Sequence, residues 1–213
     1  MSAGEASMEG DEGGYHPAVA DLEAIAAEAR TCTRCTLSTG RTQVVFGMGN
    51  PGADLLFVGE GPGADEDSAG LPFVGRSGKL LDRLIAEEMG MTRADCYIAN
   101  VVMCRPPANR DPRPDEIAAC RPWLEAKLSG IDPLVVVTLG NVATRALLGR
   151  TEGITRLRGH VYPWNGRLLV PTYHPAAVLR GSTGSMPGMR ADLVRAKLAL
   201  AGAVPVTVQG PAR

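Results

Sequence analysis

The chain has 213 residues and a formal net charge of −1 at pH 7, which is enough length for one well-cored domain and little more. A near-neutral charge gives no overall attraction to nucleic acid or anionic lipid, so DNA binding requires a local basic surface. No apolar run approaches the roughly 20 residues that span a bilayer, and the first residues lack a secretory signal, so we expect a soluble cytoplasmic protein that meets no membrane.

The first half of the chain alternates helical and strand patterns. Residues 1–16 are rich in glycine and acidic residues and predict a disordered N-terminal tail. Apolar residues recur at helical spacing in residues 19–30 and again in residues 77–89. Residues 54–58 form an apolar run that does not alternate, as in a parallel strand buried on both faces, and residues 96–102 predict a second short strand.

The second half continues this alternation. Its predicted segments are a helix from Pro114, a buried strand over residues 133–139, a short helix over 142–148, a hairpin with arms 156–160 and 167–170 around Asn165-Gly166, a mobile segment at 181–188, and a helix over 190–200. The pattern predicts an α/β protein with three α/β/α layers and a central, mainly parallel sheet of about four strands. We expect a single domain over residues 17–201, a C-terminal tail at 202–213, and a monomer, since no wide apolar surface helix is evident.

A glycine-rich loop at residues 59–63, Gly-Glu-Gly-Pro-Gly, follows the first predicted strand. Glycine and proline let the backbone turn sharply and approach a ligand, and open α/β sheets bind ligands beyond the carboxyl ends of their strands. The loop matches neither the dinucleotide fingerprint nor the P-loop. By itself it fits a ligand site and a plain strand-to-helix turn equally well.

The five cysteines are more typical of metal ligands or buried thiols than of disulfides in an intracellular chain. Cys32 and Cys35 form a C-x2-C pair, whereas fifteen residues separate Cys104 from Cys120. Four thiolates can hold zinc or an iron–sulfur cluster, and the wide second pair favours a four-iron cluster over a zinc ribbon. Unliganded buried thiols are the alternative for these four, and Cys96, within a strand, is expected in the core.

Four segments together resemble the iron–sulfur uracil-DNA glycosylases, family 4 of that superfamily. They are residues 59–63, residues 66–75 with Glu-Asp and Gly-Leu-Pro-Phe-Val-Gly, residues 100–110 with Asn-Val-Val-Met-Cys-Arg-Pro-Pro-Ala-Asn-Arg, and His174-Pro175. The order and spacing agree with the family from about Ile25 to Leu198. The resemblance implies a uracil-DNA glycosylase-like fold and a structural four-iron four-sulfur cluster. The family's cluster ligands map onto Cys32, Cys35, Cys104 and Cys120.

The resemblance also assigns three residues to the excision of a flipped uracil. Phe73 resembles the stacking platform, Asn100 the base reader that accepts from uracil N3–H and donates to O4, and His174 the donor to O2. Cytosine has the opposite polarity at both atoms that Asn100 meets, and each mismatched buried group costs about 1–3 kcal/mol. From the residues alone, these positions also fit a core aromatic, a cap or turn residue and a structural histidine.

Five further positions complete the implied pocket. Gly61 stands where the best-known uracil glycosylases carry an Asp, so a direct copy of that general base is absent and Glu60 is its expected substitute. Backbone N–H groups of the loop at Gly59 and Gly61 are expected to help His174 bind the base. Glu66 and Asn109 resemble a pocket pair, with Glu66 a candidate block against the methyl group of thymine.

Local basic residues provide the expected contacts to DNA. Arg105, Arg110 and Arg180 are the predicted phosphate ligands, and Arg113 and Arg190 are further candidates. Val178 and Leu179 fit either a wedge that enters the base stack or ordinary core and surface positions.

The sequence therefore predicts a monofunctional DNA repair glycosylase that acts on uracil in single- or double-stranded DNA and leaves an abasic site. Three alternatives stay open: a glycosylase for other deaminated bases, a non-catalytic DNA-binding module like those attached to certain phage DNA polymerases, and a zinc-stabilised nucleotide-binding protein. The joint presence of Asn100, Phe73 and His174 argues against a pure binding module, which needs none of them in a base pocket.

Overall fold

The computed structural model describes residues 17–181 and 184–204, with side chains from Leu22 onward. The predicted N-terminal tail, residues 182–183 of the predicted mobile segment and most of the predicted C-terminal tail lie outside the described residues. Within them, no helix is long and apolar enough to cross a membrane.

Six strands and eight α-helices alternate along the described residues. The strands are β1 (Met48–Gly49), β2 (Leu55–Gly59), β3 (Tyr97–Asn100), β4 (Val135–Leu139), β5 (Tyr162–Trp164) and β6 (Arg167–Thr172). The helices are α1 (Pro17–Arg30), α2 (Ala64–Ala69), α3 (Arg76–Leu84), α4 (Pro114–Ile131), α5 (Gly140–Leu148), α6 (Ile154–Leu157), α7 (Pro175–Leu179) and α8 (Ser185–Leu200). A π-helix, Ile85–Met89, continues α3, and 3-10 turns lie at Thr36–Thr39, Arg93–Asp95 and Pro107–Asn109.

The strands form one sheet in the order β1-β3-β2-β4-β6-β5. The four inner strands are parallel, as predicted, and β1 and β5 add antiparallel edges. The sequence did not predict β1, because two residues give no periodic signal. The Asn165-Gly166 hairpin is confirmed, but its first arm is Tyr162–Trp164 rather than residues 156–160, part of which forms α6.

Two apolar cores lie on opposite faces of the sheet and confirm the three-layer prediction. Leu56 and Val58 face the core that contains α1, α4 and α5, whereas Leu55 and Phe57 face the core that contains α3 and α8. This alternation along β2 is why its sequence is apolar without interruption. Because the four inner strands are parallel, they all end at the same edge of the sheet, where the loops that follow them meet.

Two helices near that edge differ from prediction. The segment after the glycine-rich loop forms α2, a helix of six residues whose first turn carries three acidic residues. Helix α8 begins at Ser185, so the last part of the predicted mobile segment is helical, with Ser185 and Gly188 buried. Burial against the sheet overrides the flexibility expected from its glycine and serine content.

Candidate functional site

A cavity of about 640 Å³ opens beyond the carboxyl ends of β2, β3, β4 and β6, a volume typical of ligand pockets. Its walls come from loops that are far apart in the sequence. Of the predicted site residues, Glu60, Gly61, Glu66, Phe73, Asn100, Asn109, Arg110, His174 and Arg180 all line this cavity. The structure thus brings together in one cavity residues that the sequence connected only through their resemblance to the motifs of a known family.

Gly59 allows the floor of the cavity to form. It ends β2 directly beside Asn100 in the parallel register. A Cβ at Gly59 would lie 2.6 Å from Cζ of Phe73 and would overlap the carboxamide oxygen of Asn100. The missing side chain therefore lets the Phe73 ring and the Asn100 amide come together.

The Asn100 carboxamide has an unsatisfied acceptor. The side chain is 2% exposed, and its Oδ1 atom is buried without a hydrogen-bond partner among the residues that the structure describes. Leaving such an acceptor unpaired costs about 1–3 kcal/mol. A ligand that donates a hydrogen bond to Oδ1 removes this cost, which favours its binding. The Asn is thus suited to read an N–H group of a bound base.

Phe73 and His174 form the aromatic wall of the cavity. Their ring centroids are 5.8 Å apart, with the planes inclined by 33°. Phe73 is 6% exposed, and its backbone has a φ of 53°, a left-handed conformation that is unusual for a bulky residue. A planar ligand stacked on Phe73 would have one edge next to the imidazole.

His174 is held as a neutral imidazole. Burial, with a smaller effect from the Arg180 charge, lowers its pKa to about 4. The residue is the N-cap of α7, and its Nδ1 atom accepts a hydrogen bond from Ala176 N–H at 3.1 Å. The proton of the neutral ring is therefore on Nε2, which makes that atom a hydrogen-bond donor.

Glu60 is a carboxyl group with a proton affinity matched to neutral pH. Burial, followed by the negative charge of Asp111, raises its pKa to about 7. A group that titrates near the operating pH can accept a proton efficiently and still be ionised in a large fraction of molecules. Both carboxyl groups line the cavity.

Gly61 has no room for a larger residue. A Cβ at this position would lie 2.8 Å from Cγ2 of Val102, and Val102 is 1% exposed. The backbone N–H of Val102 also donates to the Glu60 carbonyl at 3.1 Å, which extends the β2–β3 pairing past the strands. The absence of a carboxylate at position 61 is therefore part of how the two loops pack.

A family model described as the uracil DNA glycosylase superfamily matches residues 46–196, which is more than half of the chain. The chain belongs to the uracil-DNA glycosylase superfamily. A Type-4 uracil-DNA glycosylase of Saccharolobus solfataricus is 47% identical over 167 residues, covering 75% of this chain and 77% of the relative. The Type-4 uracil-DNA glycosylase of Thermotoga maritima is 44% identical, covering 78% and 86% respectively.

A DNA polymerase of Bacillus phage SP01 is also similar, with 32% identity over 68% of this chain but only 16% of the polymerase. A segment similar to this chain is therefore also part of a larger protein. The Type-4 similarities confirm the family that the motifs predicted.

In this member of the superfamily, Glu66 connects the loops of the pocket. Its Oε2 atom accepts from Gly63 N–H at 3.1 Å, and its Oε1 atom accepts from Val74 and Gly75 N–H, each at 3.0 Å. The sequence suggested contact with the base, but no local pattern indicated this bridge between two loops. Both carboxylate oxygens are thus already occupied by backbone donors.

Two arginines of the proline-rich loop, residues 104–112, are held by side chains of the protein itself. Arg105 Nε donates to Asn109 Oδ1 at 2.7 Å. Arg110 makes a two-pronged ion pair with Glu116, at 2.6 and 2.8 Å. The Glu116 side chain is 0% exposed, and the Arg110 hydrogen bonds lower its pKa to about 2. The sequence gives no sign of this role for Glu116, because nothing in the helix pattern distinguishes a buried ion-pair partner from a surface acid.

The remaining predicted DNA contacts differ in exposure. Arg180 is exposed at the mouth of the cavity. Arg190 is held by Glu87 and Glu88, with an Nη2–Oε2 distance of 2.6 Å to Glu87, so its charge is largely satisfied within the protein. Of the predicted wedge pair, Leu179 is 41% exposed, whereas Val178 is 7% exposed and belongs to the core.

The four cysteines assigned to a cluster lie around one region beside α4. Cys104 and Cys120 are buried, Cys32 and Cys35 are half-buried, and all are free thiols. Trp123 Nε1 donates to Cys32 Sγ at 3.3 Å, and Arg41 Nη1 to Cys104 Sγ at 3.4 Å. Hydrogen bonds to sulfur are typical of iron–sulfur sites, so the donor set fits such a group.

No group of three or more His, Cys, Asp or Glu side chains in residues 17–181 and 184–204 is arranged to hold a single metal ion. Four cysteine thiolates would hold a four-iron cluster as a set, which is a different arrangement from the ligands of one metal ion. Cys96 is fully buried, as predicted, and burial raises its pKa to about 12.

Proposed function

We propose that the chain is a DNA repair enzyme that flips uracil out of single- or double-stranded DNA and hydrolyses its N-glycosidic bond. Membership of the superfamily and the similarity to Type-4 uracil-DNA glycosylases support the activity. The observation that carries the proposal is the buried Oδ1 of Asn100 within the cavity, which has no hydrogen-bond partner in the described part of the chain. We further propose that residues 17–201 act as a single domain and as a monomer.

Base recognition is proposed to depend on Asn100 and Phe73. Uracil stacked on Phe73 would donate N3–H to Asn100 Oδ1 and accept from Asn100 Nδ2 at O4. Cytosine offers an acceptor at N3 and a donor at C4, so both hydrogen bonds would be lost and the Asn100 acceptor would stay unpaired. Backbone N–H groups of Gly59 and Gly61 are proposed to contribute to binding of the base.

Bond cleavage is proposed to depend on His174 and Glu60. As the bond between C1′ and N1 breaks, its electron pair stays on uracil and the sugar becomes an oxocarbenium ion. The Nε2–H group of the neutral His174 would donate to uracil O2 and stabilise this negative charge. Water adds to C1′ and gives one proton to ionised Glu60. The uracil anion takes up one proton, from Glu60 or from solvent, and Glu60 is ionised again. The products are free uracil and an abasic site.

Glu66 and Asn109 are proposed to complete the pocket. Since backbone donors occupy both Glu66 oxygens, its part in excluding thymine would come from fixing the loop walls near the base. Arg105, Arg110 and Arg180 are proposed to bind DNA phosphates, with Arg180 the most exposed of the three. The Arg110–Glu116 pair would orient one guanidinium edge of Arg110 and leave its other donors for a phosphate.

We also propose that Cys32, Cys35, Cys104 and Cys120 hold a structural four-iron four-sulfur cluster. When bound, the cluster would cross-link the segment after α1 to the proline-rich loop and α4. Thr36 Oγ1 already donates to Glu116 Oε1 across the same boundary at 3.4 Å. A brown protein with about four irons per chain supports the cluster, whereas a colourless zinc protein contradicts it.

The decisive experiment is alkali-induced cleavage of labelled oligonucleotides after incubation with the protein. Matched substrates carry one uracil, cytosine, thymine or hypoxanthine at the same position, in single and double strands. We expect cleavage at uracil only, and a large loss of this cleavage in Asn100→Ala. Binding of the uracil strand without cleavage would instead support the non-catalytic module, and cleavage at hypoxanthine would support the wider glycosylase.

A further inference from the structure

The stacking residue of the pocket has a strained backbone. Phe73 has a φ of 53°, and bulky side chains occupy this region only when the surroundings impose it. The ring direction depends directly on this conformation, because the side chain leaves the backbone at Cα. Whatever holds the carbonyl groups on either side of Phe73 therefore also aims its ring into the cavity.

Arg93 holds both carbonyl groups. Its Nη1 atom donates to Pro72 O at 3.0 Å, and its Nη2 atom donates to Phe73 O. Its Nε atom donates to Asp82 Oδ1 at 2.5 Å, which fixes the guanidinium against α3. A planar guanidinium presents these donors in a rigid fork, so the three acceptors are held in one plane.

The other side of the same loop is held independently. Glu66 accepts from Val74 and Gly75 N–H, so the chain on the far side of Phe73 is also fixed. Gly78 lets the first turn of α3 approach the Phe73 carbonyl, where any Cβ would overlap it. Arg93 therefore holds the carbonyl groups of this loop, and Glu66 holds its N–H groups.

We propose that Arg93 is a positioning residue for base excision: it fixes the Phe73 backbone so that the ring is oriented to stack on the flipped base before DNA binds. This inference rests on the proposed function. Arg93 is not among the residues that line the cavity, so it would act on the base through Phe73 and not by direct contact. A ring held in advance does not have to be ordered when the base enters, which favours binding.

The test is a double-mutant cycle with Arg93→Met, Phe73→Leu and the double variant. Excision from a uracil oligonucleotide gives kcat and KM, and inhibition by free uracil reports base binding without DNA. We expect Arg93→Met to lower kcat/KM by up to about a hundredfold, as for a misplacement of about 1 Å, and to weaken inhibition by uracil. The double variant should be no worse than Phe73→Leu, because the two residues act as one unit.

Two further variants act as controls. Arg83→Met removes the same charge from an Arg on α3 that is 55% exposed, and should leave both measurements unchanged. Arg93→Lys keeps the positive charge but not the planar set of guanidinium donors, so it should recover only part of the activity. It replaces Arg93→Met in the cycle if that variant does not fold. Thermal unfolding of every variant separates misplacement of the ring from loss of the fold.

Each outcome decides a different question. Losses that multiply in the double variant, or an Arg93→Met enzyme that behaves like Arg83→Met, refute the positioning role while uracil excision by the wild type stands. If the wild type excises no uracil, the proposed function fails and the positioning role fails with it.

Discussion

The pH dependence of excision should follow the ionisation of Glu60. Its pKa of about 7 means that about a tenth of the molecules have an ionised Glu60 at pH 6 and about nine-tenths at pH 8. If Glu60 accepts the proton of the attacking water, kcat/KM rises about tenfold between these pH values, with a midpoint near 7. His174 does not disturb this range, since its pKa is about 4.

Two substitutions test the assignment. Asp111→Asn removes the charge that adds to burial in raising the Glu60 pKa, so the midpoint should move to lower pH while the plateau is kept. Glu60→Gln should remove this rise with pH and lower kcat by about 10²–10⁴, the usual contribution of a general base. Single-turnover excision from a uracil oligonucleotide, measured in buffers of constant ionic strength, gives both profiles.

The same group also contributes to stability, with a defined sign. Because the folded pKa lies above the ordinary value of 4.5, the folded state holds the proton more tightly. The resulting stabilisation is complete below about pH 4.5 and is lost as pH rises through about 7; it amounts to roughly 3 kcal/mol at most. Glu60→Gln should therefore unfold at higher urea than the wild type at pH 8.

A flat activity profile from pH 6 to 8, with an active Glu60→Gln enzyme, would refute the general-base role.

Three other predictions concern separate parts of the molecule. His174→Asn keeps a good N-cap for α7 but loses the Nε2 donor, so kcat should fall about 10²–10³-fold with little change in thermal stability. Glu116→Ala removes the acceptor of Arg110, of Arg113 N–H and of Thr36 Oγ1 and should cost about 1–3 kcal/mol in urea unfolding at pH 7, because the Arg110 left behind is 32% exposed and its charge stays hydrated. Because the Glu116 pKa is lowered to about 2, the wild type should lose this advantage as pH falls from about 4.5 toward 2. Cys120→Ser should reduce iron per chain and visible absorbance, whereas Cys96→Ser, in the opposite core, should retain both.

The sequence predicted the inner strands well because each is a local apolar run. Residues 54–58 and 133–139 carry their whole signal within themselves, and β2 and β4 form almost where expected. The first hairpin arm was misplaced because burial of short, mixed segments depends on partners far along the chain. Local pattern therefore fixes the parallel centre of this sheet better than its edges.

The site shows the same division between local and distant information. The motifs named many of the residues that line the cavity, but not Asn141 or Tyr173, which also line it, and not the partners of the residues that they named. Arg110 was expected at phosphate, and its pairing with Glu116 is visible only in three dimensions. Arg93 is twenty residues from Phe73 and belongs to no motif, so only the folded structure reveals their contact.

The contact between Gly61 and Val102 limits how this pocket can change during evolution. A carboxylate introduced at position 61 meets Val102 Cγ2, and overpacking a buried site is destabilising. Val102 must therefore move, or be replaced by a smaller residue, when position 61 gains a side chain. The two positions lie on neighbouring loops and are expected to be coupled, so a substitution at one changes what the other tolerates.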